Sequence, residues 1–263
     1  MKDITKFIKN LKLYFKYAIR SAKAELKSEI TDSYLNWLWW IIEPLSFMLI
    51  YAFVFGYVFK NTEQYFIPFV LIGITVWEFF SRMINGSVKL VLNNKDLITK
   101  VYIPKYVLLL SKSLTYLFKL FISFGILVII MIFLNVPFTL KMLYFIPILF
   151  TLYVISFGIG LILMHYGVYI QDLSNLTNIV LRCVFYLSGV FYNISTRIEG
   201  IIQVFLLQVN PVAFLMNEFR KILIYNTTPS FEGLLFWLAI GSVLTYIGIH
   251  IIHENENSYA KVI

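Results

Sequence analysis

Residues 141–172 read KMLYFIPILFTLYVISFGIGLILMHYGVYIQD, and the 30 positions between Lys141 and Asp172 contain no Asp, Glu, Lys or Arg. A helix crosses the hydrocarbon core of a bilayer with roughly 20 apolar residues, so this stretch is long enough to span it. Residues 120–140 and 233–253 are free of the same four residue types. Across the whole chain of 263 residues, 60% are hydrophobic, 14% are charged and the mean hydropathy is +0.80. Water-soluble domains carry about 45–50% apolar and about 25% charged residues, which excludes an ordinary soluble enzyme. A membrane β-barrel would instead alternate in short segments. The sequence therefore predicts an all-α polytopic membrane protein.

Working outward, six transmembrane helices are expected at about 35–59, 65–81, 113–134, 142–166, 176–192 and 234–252. Glu43-Pro44 lies inside the first and predicts a kink near one end. Residues 82–112, between the second and third spans, are polar and basic. Residues 193–231 are apolar in pieces, but Gln203, Gln208, Asn210-Pro211 and Asn217 make 200–217 short and polar for a span. Such a segment fits a re-entrant hairpin, whose non-helical backbone is tolerated where protein or a wet cavity surrounds it.

The first 34 residues form a separate lead-in. Ile4, Phe7, Ile8, Leu11, Phe15, Ala18, Ile19 and Ala22 recur at helical spacing, while Lys2, Lys6, Lys9, Lys12, Lys16, Arg20 and Lys23 occupy most of the remaining surface. A basic amphipathic helix of this type lies in the membrane interface, attracted by anionic head groups. Membrane lipids, and no nucleic acid, are its expected partners. It does not read as a signal peptide, because it has no separate apolar core or small-residue cleavage site.

The net charge of +8 is unevenly distributed. With six spans and the N-terminus inside, cytoplasmic segments hold 15 Lys and Arg and outside segments 5, counting Arg197, Arg220 and Lys221 among the latter. That bias favours a cytoplasmic N-terminus. The single cysteine, Cys183, sits in an apolar run and is expected to pack there.

Catalytic and metal-binding patterns are absent. No Gly precedes a Lys, so the phosphate-cradling P-loop is missing, and His165, His250 and His253 are scattered. No metal site is expected. Ionisable groups inside a membrane are costly, which makes Glu43, Glu78, Asp172, Arg182 and Glu218 candidate functional residues. For these the plain alternatives are interface positions for Glu43 and Glu78, a helix cap at Asp172, and an ion pair for Arg182 inside the bundle.

Several segments together resemble the membrane subunit of type-2 ABC exporters, in the branch that moves O-antigen, teichoic acid and related polysaccharides. They are ELKSEITDSYLNWLWWIIEPLSFMLIYAFVF (25–55), NNKDLITKVYIPK (93–105), GVYIQDLSNL (167–176), SGVFY (188–192) and NPVAFLMNEFRKIL (210–223), in the family's order. The most specific is 93–105. Departures are Asn36 at a family Gly, and Gln171 at the Arg of an Arg-Asp element. The resemblance implies a homodimer enclosing a channel, with two separate nucleotide-binding ATPase subunits beneath it that hold ATP and Mg; no cofactor is expected in this chain. It places the chain in the bacterial cytoplasmic (inner) membrane as a multi-pass transport subunit rather than an enzyme. Its substrate would be a lipid-linked polysaccharide; a type-2 exporter of a drug or a lipid is the alternative.

The same resemblance puts an ATPase-coupling segment at about 90–105, with Asn93, Asp96, Leu97, Lys100 and Pro104 in the matching motif. There Leu97, Ile98, Val101 and Ile103 offer an apolar knob among polar residues. Lys12, Lys16 and Arg20 would meet the substrate's phosphates where it is taken up. Aromatic residues make up 18% of the chain. Trp40, Phe47, Tyr51 and Phe55 fall on one face of the first span, and Phe185 and Tyr192 are seven apart in the fifth. Aromatic faces stack weakly on the apolar faces of sugars, so these six are the expected channel lining.

Overall fold

The computed structural model describes residues 2–31, 34–58, 63 and 65–262, and contains no strand among them. Phe59 and Lys60, at the end of the first expected span, lie outside the described residues, as do the side chains of Lys2, Ile4, Lys6, Ile8 and Lys261. Helix α1 (Lys2–Thr31) precedes a 3-10 turn (Asn36–Leu38), α2 (Trp39–Tyr51) and a π-helical turn (Ala52–Val58). Then follow α3 (Phe66–Val88), α4 (Leu90–Asn93), α5 (Lys95–Lys100), α6 (Lys105–Phe133), a 3-10 turn (Leu140–Tyr144) and α7 (Phe145–Tyr169). The chain closes with α8 (Leu173–Leu187), α9 (Ile194–Arg197), α10 (Ile201–Val209), α11 (Pro211–Leu223) and α12 (Phe231–Val262).

Five stretches are long and apolar enough to cross a membrane: Asn36–Val58, Phe66–Val88, Lys105–Phe133, Leu140–Tyr169 and Phe231–Glu256. The third begins eight residues earlier than expected. Lys105 is buried, and Lys112 is neutralised by Glu25 of α1, so neither basic residue ends the helix. The fifth expected span, 176–192, falls on α8 and the turn after it; α8 is an apolar helix of 15 residues, about 22 Å at 1.5 Å per residue. It stops because Gly189 adopts φ +66, the left-handed conformation that ends helices cheaply at glycine.

The segment that follows is a sharply bent helix pair. Helices α10 and α11 meet at 95° at Asn210-Pro211. Asn210 caps α11, its side chain accepting from the Val212 and Ala213 amides, and Pro211 sits in the first turn, where its missing N–H costs nothing. The Asn193 side-chain amide, before the hairpin, donates to the Tyr225 hydroxyl, after it, at 3.2 Å. The chain thus returns to the end of the bundle it left.

Polar contacts define the two ends. At one, Tyr102 donates to Glu256 at 3.1 Å, Tyr259 meets His165 Nδ1 at 2.8 Å and the Asn10 side chain donates to Tyr106 at 2.7 Å. At the other, Tyr225 donates to Glu63 at 2.8 Å and Lys141 to the Asn226 carbonyl at 2.6 Å. The start of α1, the 101–104 loop and the end of α12 therefore share a side, which the sparse charges of the C-terminal tail left open.

The core is a close-packed α3–α6–α7–α12 group. Helices α7 and α12 approach through small residues: a Cβ on Gly241 would lie 3.0 Å from the Ile155 amide nitrogen. Small residues of this kind let backbones meet where lipid supplies no hydrophobic driving force. Gly167 is tighter still, since a Cβ there would collide with the Val88 carbonyl of α3. Gly167→Ala is expected to lose about 1–3 kcal/mol by overpacking. Gly125→Ala on α6, with nothing within 4 Å of the added carbon, is expected to be neutral or to gain up to ~1 kcal/mol of helix propensity. Thermal unfolding of the two variants in detergent checks the contrast.

Candidate functional site

The most demanding group in the structure is Arg220 of α11, which is 3% exposed. A guanidinium removed from water must find partners for its donors or it destabilises the fold. Arg220 donates to the carbonyls of Gly189 at 2.8 Å, Val190 at 2.9 Å and Phe69 at 3.3 Å, and lies 3.4 Å from the centre of the Phe69 ring. One side chain thereby ties α11 to the start of α3 and to the turn after α8. From the hairpin tip, the Asn210 amide donates to the Ser188 hydroxyl at 2.9 Å and fixes the same turn from below. Arg220, assigned from sequence to an outside loop, is a buried structural cation and not a topological charge.

That turn carries Phe191, which is 6% exposed. Its ring lies 4.2 Å from Tyr51, 4.7 Å from Phe55 in a stacked pair, and 5.3 Å edge-on from Phe185. Phe47 stacks on Tyr51 at 6.2 Å, and Trp77 packs on Phe185 at 5.1 Å. Phe47, Tyr51, Phe55 and Phe185 are therefore brought into one chain of ring contacts centred on Phe191. Such pairs contribute about 0.5–1.5 kcal/mol each beyond area burial. Trp40 stands apart, edge-on to Phe118 at 5.4 Å, and Tyr192 turns toward the hairpin, donating to the Tyr186 carbonyl at 2.8 Å. Phe191 and Trp77 escape a periodicity search because one lies in a turn and the other on a neighbouring helix.

The intramembrane acids are engaged. Glu43 and Glu78, expected near opposite interfaces, both bind Arg82, at 2.8 and 3.2 Å. This pins the sparsely packed α2 to α3. Buried Glu218 pairs with Lys221 at 2.6 Å and accepts from the Ser230 amide at 2.8 Å. Arg182, expected to pair inside the bundle, is exposed on α8 with no acid in ion-pair range among the described residues. Cys183 is likewise exposed rather than packed. Asp172 occupies the cap position of α8, but its side chain makes no capping hydrogen bond. His250 lies 3.3 Å from Glu254 and His253 4.0 Å from Glu256, so the two histidines face different carboxylates.

The coupling segment folds as α4, α5 and an extended loop 101–104. Asn93, Asp96 and Lys100 are exposed, Leu97 is half-buried and Pro104 is buried. Ile98 and Ile103, expected in the apolar knob, are drawn into the core instead. The knob that remains is Val101, 51% exposed, with Tyr102, 59% exposed. Partial burial and the Glu256 carboxylate push the Tyr102 hydroxyl above its ordinary pKa, so it stays a donor. Lys12, Lys16 and Arg20 are exposed on α1. The far half of α1 is fastened to α6 by Glu25–Lys112 and by Glu29–Lys119 at 2.7 Å.

Residues 19–224 match the ABC-2 type transporter family. Among curated proteins, the chain is similar to the O-antigen export system permease protein RfbA of Myxococcus xanthus, 26% identical over 258 residues, covering 98% of this chain and 99% of that protein. Two proteins of the same name from Klebsiella pneumoniae are 22% and 23% identical, each over 97% of both chains.

Replacing Arg220 by Met removes the donors to three carbonyls, and each unmet buried acceptor costs about 1–3 kcal/mol. A loss of at least ~2 kcal/mol in unfolding stability is expected. Arg220→Lys should recover only part of it, since a point charge cannot reach all three carbonyls and stack on Phe69. Denaturant titration of both variants in detergent measures the order.

Proposed function

Because the chain belongs to the ABC-2 type transporter family, we propose that it is the membrane-spanning subunit of an ATP-driven exporter of lipid-linked O-antigen or a similar polysaccharide, such as teichoic acid. The observation that carries this reading is the near end-to-end similarity to O-antigen export permeases from two genera. In it, two copies of the chain form the conduit in the bacterial cytoplasmic membrane, with the N-terminus on the cytoplasmic side. Two separate ATPase subunits hold ATP and Mg and dock against the loop bearing Val101 and Tyr102. The cluster around Phe191 offers sugar rings a series of weak, poorly directional contacts, which suits a moving polymer better than one tight pocket. This chain positions and gates, and makes or breaks no bond.

The bonding pattern suggests how force passes through it. Tyr102 is bonded to Glu256 and followed by the buried Ile103 and Pro104, which lead directly into α6. A push on the loop is delivered to α6 and to the end of α12 together. The Glu43–Arg82–Glu78 cluster holds α2 against α3 until that push alters their packing.

Two experiments test the reading. With the partner ATPase co-expressed untagged, Val101→Asp is expected to lower the amount that co-purifies by about tenfold, ~1.4 kcal/mol; undiminished recovery removes the loop from the docking surface. Phe47→Ala with Tyr51→Ala is expected to reduce surface polymer while ATPase recovery stays at the wild-type level. Unchanged polymer would discard the aromatic cluster as the channel lining.

A further inference from the structure

A groove of about 690 Å³ opens between α1, α6, α7 and α12. Its volume is within the roughly 300–1,000 Å³ typical of small-molecule sites. Phe7, Leu11 and Phe15 of α1 form one wall, with Phe150 and Phe157 of α7 opposite. From Phe157 to Phe150 the groove climbs two turns of α7, about 10 Å. Its few polar side chains are already bonded within the protein. The Tyr153 hydroxyl meets Ser113 Oγ at 2.9 Å, and Thr245 donates to the Gly241 carbonyl at 2.8 Å. The exception is Lys12, the one charged lining residue, flanked one turn away on each side by the exposed Lys9 and Lys16.

We propose that this groove is a binding site for one anionic phospholipid, an acyl chain lying against α7 and the phosphate held by Lys12. The charge is complementary, because a cation with no acid among the lining residues stands at one end of an apolar slot. The groove also stands apart from the ring cluster proposed to meet the exported polymer. The groove is built from α1, α6, α7 and α12, whereas the ring cluster around Phe191 is built from α2, α3, α8 and the turns after α2 and α8, and the two share no element. A lipid seated here is resident. It fills the space beneath an interface helix that its far half alone ties to α6 by ion pairs, and it fixes the height of that helix in the bilayer. Under the orientation proposed above, and only in this respect resting on it, the leaflet concerned is the cytoplasmic one, where anionic lipids attract basic segments.

The test is native mass spectrometry of the purified transporter after exchange into mild detergent with equal dioleoyl phosphatidylglycerol and dioleoyl phosphatidylcholine. The wild type is expected to retain about one phosphatidylglycerol per chain in preference to phosphatidylcholine. Lys12→Glu, an exposed change that leaves the core intact, is expected to lower that preference about tenfold. Val154→Trp, which fills the slot, is expected to lower retention of both lipids. Equal retention of the two lipids by the wild type, or a preference unchanged in Lys12→Glu, overturns the proposal. So does an intermolecular disulfide formed by Phe15→Cys in a Cys183→Ser background, which would put a second copy of the chain in the groove. Because co-purification of the ATPase depends on the distant Val101 loop, failure here is distinguishable from failure of the transport reading.

Discussion

A guanidinium buried in the membrane domain needs its donors satisfied by the protein, because lipid offers none. Arg220 meets most of that requirement, its two terminal nitrogens donating to backbone carbonyls from two separate parts of the chain and its plane lying on the face of Phe69, while Nε has no hydrogen-bond partner among the described residues. These contacts give the short helix α8 a fixed end, turn the chain at Ser188–Tyr192 and hold the re-entrant hairpin against α3. Phe191 sits at the centre of the aromatic cluster because Arg220 clamps the carbonyls of the two residues before it, Gly189 and Val190. The arrangement puts the domain's most costly residue directly behind the aromatic cluster, so the stability of the turn and the position of these rings are linked at one point.

The charged groups elsewhere obey the same constraint. Glu43 and Glu78 share Arg82, Glu218 has Lys221 and a backbone amide, and Lys112 and Lys119 take Glu25 and Glu29. Each pair joins one helix to another or braces a helix end. With their charges matched, these acids serve helix packing.

Much of this was legible from the amino acids. The charge-free windows at 120–140, 142–171 and 233–253 overlap α6, α7 and α12, and Asn210-Pro211 within a polar, apolar-flanked piece marks the 95° bend between α10 and α11. The motif at 93–105 led to the family. Other features depended on contacts between distant segments. Lys105 and Lys112 looked like loop residues until burial and Glu25 accounted for them. Arg220 was counted among outside charges because a charge tally sees position along the chain and not depth. Ile98 and Ile103 lie in a polar, basic stretch between two spans, yet the fold turns them inward and leaves Val101 and Tyr102 outside. Phe191 is one of many phenylalanines until three rings converge on it.

In the function proposed above, this chain is a conduit driven from outside itself. The most direct measurement is transport in proteoliposomes containing the purified chain, with and without its ATPase subunit, using fluorescently labelled lipid-linked polysaccharide and a membrane-impermeant quencher. Protection of the label is expected only when both subunits, ATP and Mg are present. Equal transport by the chain alone, without nucleotide, would contradict it.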